Sequence, residues 1–182
     1  MKKVFVARRL DVKAFAQAAT PLSGQDALAD HGRLAQEAQG PVEGLTVCWT
    51  ARGELRPVSG GTDEVWLHVQ VQTRLPLTCQ RCMGPVDVDV SSDRWFRFAP
   101  DETVAAALDD ETEEDVLVLS SEFDLASLVE DELLMALPLV PRHETCPVDV
   151  KLAVADADFE AESAAKANPF AALASLRLGK SS

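Results

Sequence analysis

Apolar and polar side chains alternate strictly through the middle of this chain. Val65, Leu67, Val69 and Val71 are interleaved with Trp66, His68, Gln70 and Gln72, the pattern of a strand with one dry and one wet face. The strand continues through residues 73–78 to a turn at Cys79-Gln80-Arg81-Cys82. Val86, Val88 and Val90 then alternate with Asp87, Asp89 and Ser91 on a return strand that runs on to Trp95-Phe96-Arg97-Phe98. Upstream, Leu45, Val47 and Trp49 alternate with Thr46, Cys48 and Thr50. Arg52-Gly53 reads as a turn into a shorter partner over residues 54–58, and Ser59-Gly60-Gly61 as another turn. The middle of the chain is therefore expected to be an antiparallel meander.

The flanks read differently. Val4, Phe5 and Val6 suggest a short basic strand. Residues 11–19 suggest a helix with Val12, Phe15, Ala16 and Ala19 on one face, ended by Pro21. Over residues 23–39 periodicity is weak, and Ser23 or Asp26 could cap a short helix around Ala27, Leu28 and Leu34. Residues 100–115 are acidic and Ala-rich, the composition of a solvated, mobile loop. Val116-Leu117-Val118-Leu119 follows as a short strand expected to be apolar on both faces. Asp124 is a candidate N-cap, with Ser121 at capping-box spacing, for a helix over residues 125–136. Its apolar stripe is Leu125, Leu128, Val129, Leu133 and Ala136, and Glu130, Asp131 and Glu132 are expected on its solvated side. Pro138 stops it.

The pattern predicts an α+β fold: an antiparallel β-meander or partly closed barrel with a packed C-terminal helix. One domain over residues 1–150 would be followed by a flexible acidic linker and tail over 151–182. Asn168 at N-cap and Pro169 at the first helical position open a short tail helix carrying Phe170, Leu173 and Leu176. So short a helix gains order only by docking, on its own domain or on a partner.

Composition narrows the function classes. The chain has 182 residues, is 47% hydrophobic and carries a net charge of −13, with a pI near 4.6. That balance disfavours a protein that coats nucleic acid by neutralising phosphates and favours basic partners such as a ribosomal protein. No apolar run approaches the roughly 20 residues that span a bilayer. The N-terminus lacks a signal-peptide pattern, so the expected location is the cytoplasm, with reduced cysteines.

Cys79 and Cys82, three residues apart on a hairpin tip, form half of a zinc site, and His143 and Cys146 in a Pro-rich loop could supply the other half. The competing reading is a set of buried free thiols. A redox role is disfavoured, because a thioredoxin-type pair opens a helix and this one opens a strand. His68, on a polar strand face, is expected to be solvated or to hold a cross-strand partner, and packing explains Cys48. No Gly-rich phosphate loop, H-E-x-x-H or G-x-S-x-G is present.

Three blocks carry a resemblance that spans essentially the whole chain. They are Leu77-Thr78-Cys79-Gln80-Arg81-Cys82, Leu128-Val129-Glu130-Asp131-Glu132-Leu133-Leu134-Met135-Ala136-Leu137-Pro138-Leu139-Val140-Pro141, and Asn168-Pro169-Phe170-Ala171-Ala172-Leu173-Ala174-Ser175-Leu176. In this order and spacing they resemble the bacterial YceD family of large ribosomal RNA subunit accumulation proteins. The resemblance implies a cytoplasmic, non-catalytic factor for the synthesis, processing or stability of 23S rRNA. Other branches of the family carry extra cysteines after the Pro-rich loop, as in a fuller zinc site; this chain has only His143 and Cys146 there. Such a factor would bind pre-ribosomal 23S rRNA or a large-subunit ribosomal protein. Its contacts would be the sheet surface near Arg74, Arg81, Arg94 and Arg97 and the tail residues Asn168, Pro169, Phe170 and Leu173. The alternative is an rRNA-processing or modifying enzyme with a dispersed site.

Overall fold

Two fifteen-residue strands, β3 (Glu64–Thr78) and β4 (Pro85–Ala99), form the hairpin on which the rest is assembled. In the computed structural model of the chain, residues 4–151 and 154 are described. The expected linker beyond them and the tail segment with Asn168, Pro169, Phe170 and Leu173 lie outside the described residues. β1 (Leu22–Ala27), β2 (Thr46–Arg56), β3 and β4 pair antiparallel in chain order, and β5 (Asp115–Val118) joins β4 in parallel. The sheet is open, with β1 and β5 at its edges, so of the two expected forms the meander is the one observed.

Alternation places Val65, Leu67, Val69, Val71, Leu75 and Leu77 on the dry face. Against it pack α1 (Val12–Ala18) and α4 (Leu125–Met135), which bury Val12 and Phe15, and Leu125, Val129 and Leu133, respectively. Each large aliphatic side chain so buried contributes about 2–3 kcal/mol. The α4 helix starts as the sequence predicts, with Asp124 accepting from Ser127 N at 3.0 Å, and α1 is capped in the same way by Asp11, which accepts from Ala14 N at 3.0 Å. The α1 helix ends at Ala19, whose φ of 48° breaks the spiral two residues before Pro21.

Several local expectations are overturned. Val4, Phe5 and Val6 form no strand; the run is too short to specify one, and Phe5 is held by an edge-on ring contact to Phe15, centroids 5.1 Å apart. Ser23 and Asp26 cap no helix, since both lie in β1. Gly24 lets the Trp49 indole lie against that strand, and Asp26 accepts the indole N–H at 2.7 Å. The helix of this region is α2 (Gly32–Glu37), a few residues downstream. Arg52-Gly53 is not a turn but the interior of β2. An ideal Cβ on Gly53 would sit 2.6 Å from Ala16 Cα, so the glycine is there for the close approach of α1.

The acidic segment is partly helical. Asp101 caps α3 (Glu102–Asp109) by accepting from Val104 N, and α3 provides the crossover that a parallel β4–β5 pair requires. As an edge strand β5 is only half-buried, not buried on both faces. Glu130 and Glu132 do not lie on a solvated face. Glu130 Oε1 accepts from the backbone N–H groups of Arg33 (2.7 Å) and Leu34 (3.2 Å), capping α2 from a different helix. Glu132 is 4% exposed and accepts from Ser92 Oγ at 2.7 Å, joining α4 to β4. Spacing along one helix cannot reveal which distant donors will lie over it.

Gly53→Ala is expected to destabilise by about 1–3 kcal/mol through overpacking, seen as a lower urea midpoint. Gly32→Ala, where a Cβ meets nothing within 4 Å, should leave the midpoint nearly unchanged. For Glu130, burial raises the carboxyl pKa, but the Leu34 and Arg33 N–H donors and the Arg33 guanidinium bring it below its ordinary value. Its contribution is therefore complete above the unfolded carboxyl pKa of about 4.3 and disappears as pH falls through the lower folded value. Glu130→Gln should cost about 1 kcal/mol at neutral pH, a difference from wild type that shrinks in urea melts near pH 3.

Candidate metal centre

At the tip of the β3–β4 hairpin the chain makes a tight knuckle. Cys79 N donates to Gly84 O and Met83 N to Cys79 O, each at 2.8 Å, and Met83 takes φ 59° to close the turn. The knuckle is braced from two sides. Gln80 N donates to Pro141 O at 2.9 Å, which fastens the Pro-rich loop after α4, and Gln39 Nε2 donates to Met83 O at 3.1 Å. Gln39 also donates its own N–H to Pro76 O at 2.7 Å. Its role had no signal in a polar, aperiodic stretch.

This bracing brings together the four residues expected from the sequence. The ligand atoms of Cys79, Cys82, His143 and Cys146 all lie within 4.8 Å of one another, and Cys82 Sγ is 3.5 Å from His143 Nδ1. A tetrahedral ion with metal–sulfur bonds of about 2.3 Å needs its sulfurs about 3.8 Å apart, so a small contraction would complete the shell. Cys79 is buried and the other three are half-buried.

Electrostatics point the same way. Burial pushes the Cys79 thiol up, yet the backbone N–H groups of Cys82, His143 and Arg81, together with the His143 side chain, outweigh it and hold the pKa at about 5. Cys146 is pushed up by burial and by the neighbouring sulfurs of Cys82 and Cys79. The cluster thus favours the Cys79 thiolate and disfavours ionisation of Cys146. Three sulfurs and an imidazole in a closed set match a structural metal site, with no position left open for a substrate. The competing reading of the C-x-x-C pair as simply buried thiols does not account for the convergence of His143 and Cys146. Cys48 lies elsewhere, half-buried on the sheet.

The four arginines expected to form one surface are separated. Arg74 and Arg97 lie on the face of the sheet that α1 and α4 leave bare, whereas Arg94, opposite Val69 in the register, is on the helix-bearing face. Arg94 pairs with Asp115 and lies 3.6 Å from Glu132, and Arg97 is bound to Glu64 at 2.5 Å. Arg74 faces Asp87 and Asp89 at 3.5 and 3.9 Å. Arg81, exposed on the knuckle, makes no ion pair among the described residues. His68 has the cross-strand partner expected of it: its Nε2 is 2.6 Å from Asp93 Oδ1, and its ring stacks on Trp95 at 4.5 Å.

Residues 67–177 match the family model described as large ribosomal RNA subunit accumulation protein YceD. The chain is also 39% identical over 110 residues to the Haemophilus influenzae protein of that name, an alignment covering 59% of this chain and 63% of the relative. The chain therefore spans somewhat less than two thirds of that relative's length. No solved structure matches.

Cobalt(II), used as a probe, should saturate near one equivalent and give the visible absorption of a tetrahedral thiolate site. Cys146→Ser should weaken binding, and Cys48→Ser should leave it unchanged. Equal loss in both would exclude this cluster as the site.

Proposed function

Because the chain belongs to the YceD family, whose model covers residues 67–177, we propose that it promotes accumulation of the large-subunit ribosomal RNA, 23S rRNA. It does so in the cytoplasm and without catalysis, by binding 23S precursor RNA or a large-subunit ribosomal protein. The observation that carries this reading is that the family match includes every element of the metal centre, from Cys79 on the hairpin tip to Cys146 beyond α4. The braced knuckle lies within the matched residues, and a rigid tip suits recognition.

The ion at that centre is proposed to be zinc, held by Cys79, Cys82, His143 and Cys146. Three thiolates and an imidazole suit a d10 cation without redox chemistry. Zinc would neutralise the crowded sulfurs and fix the knuckle on the Pro-rich loop. Arg81, held between two ligands and free of an ion pair among the described residues, is the first candidate contact; Arg74, on the same hairpin, faces Asp87 and Asp89 at 3.5 and 3.9 Å and comes second. Arg94 and Arg97 are weaker candidates because their charge is already engaged. In this reading the domain of residues 1–150 supplies the tip, and the tail residues Asn168, Pro169, Phe170 and Leu173 supply a second contact, which raises the local concentration of the first.

In cells that depend on this chain, Arg74→Ala with Arg81→Ala is expected to lower the 23S-to-16S ratio with no fall in melting temperature, whereas Cys79→Ser lowers both. Unchanged ribosome profiles in the double-arginine variant would remove the tip as the contact. Purified protein incubated with 23S precursor and a divalent metal should leave the RNA intact; cleavage would transfer the chain to the enzymes.

A further inference from the structure

The face of the sheet opposite α1 and α4 carries a hollow of about 750 Å3 lined entirely by residues of β1 to β4. A second hollow of about 470 Å3 continues it toward the hairpin tip, and the two share Cys48, Gln72 and Ser91. The combined trough follows β3 from Gln70 to Arg74, about 13 Å at the rise of a strand, so its shape suits an extended chain. Its other end is closed. There Arg56 lies over the Trp66 and Trp95 rings at 3.9 and 4.5 Å, and Trp66 and Arg97 are both tied to Glu64.

The chemistry of the lining is specific. Its lining sets amides and hydroxyls beside Cys48 and Trp49, and the side chains of Gln25 and Gln72 have no hydrogen-bond partner among the described residues. Asp93 is the sole charged side chain lining the larger hollow. Hydrogen bonds from Gln70 and His68 outweigh burial and hold it below the usual carboxylate range, so it is ionised at neutral pH. In the smaller hollow the one cation, Arg74, is offset by Asp89 at 3.9 Å. A phosphate chain would find no uncompensated cation here, and the chain as a whole carries −13. A polypeptide would find partners for its backbone in the amides and for a basic side chain in Asp93.

We propose that this trough binds an extended, basic segment of a partner polypeptide, its backbone against Gln25 and Gln72 and a Lys or Arg side chain toward Asp93. The proposal rests on the reading of the chain as a binding factor, but it concerns a surface separate from the knuckle.

The test uses the full chain and a fluorescent peptide of alternating Lys and Thr, with the Glu–Thr peptide and oligouridylate as comparisons. Binding of the Lys–Thr peptide alone, weakened by salt, is expected. Gln72→Lys with Ser91→Lys, both at exposed positions, should reduce it by about tenfold or more through like-charge repulsion at unchanged melting temperature. Asp93→Asn should also weaken it. Absence of peptide binding, equal affinity in the double-lysine variant, or oligouridylate binding that those lysines strengthen would each overturn the proposal. Because Arg74 also lines the smaller hollow, the knuckle is judged on Arg81→Ala alone: 23S levels in that single variant and peptide binding to the trough fail separately.

Discussion

The register of β3 on β4 is the constraint from which the remaining structure follows. Pairing from Val65 opposite Phe98 to Thr78 opposite Pro85 fixes which side chains point to each face. A slip of β4 by one residue would turn Phe96 to water and bring Asp87 and Asp89 into the core. The same register sets the length of the hairpin and hence where its tip stands. The dry face then recruits α1 and α4, the wet face stays bare, and the tip is delivered to the loop that follows α4.

What the sequence made legible was whatever is written in short-range periodicity or capping chemistry. The alternation in β3 and β4, the Asp124 cap and the apolar stripe of α4 fall in this group. So does the ligand set, because C-x-x-C on a tip restricts the partners and only His143 and Cys146 were placed to complete it. What was hidden depends on tertiary contact. A glycine inside β2 looks like a turn until α1 is laid against it. The strand of Leu22–Ala27 carries Ser, Gly, Gln and Asp, and it is a strand because β2 offers an edge and Trp49 covers its glycine. The α3 crossover follows from β5 running parallel to β4, which no local pattern announces. Nor do the four arginines share a surface: Arg94 and Arg97, three apart on one strand, must point to opposite faces.

Charge is managed locally throughout. Ion pairs and hydrogen bonds engage Arg33 with Glu130 and Asp131, Arg94 with Asp115 and Glu132, and Arg97 with Glu64. The net negative charge is therefore spread over the acids left unmatched, many of them between residues 100 and 115. Against that background an exposed arginine on a rigid knuckle and a polar trough with Asp93 in its larger hollow stand out as distinct surfaces. One suits an anionic or polar contact at a point; the other suits a chain laid along a strand. A factor with both could hold two components of an assembling particle at once.

The sixty-one-residue separation of Cys82 and His143 bears on the order in which the molecule folds. Neighbouring strands of the meander can close through short loops, whereas joining the two halves of the ligand set closes a much longer one, which contains α3, β5 and α4. An ion captured there would arrive late and act as a latch, slowing departure from the native state more than speeding arrival at it. Such a centre would confer persistence on the hairpin tip, which otherwise stands at the far end of a long two-stranded arm.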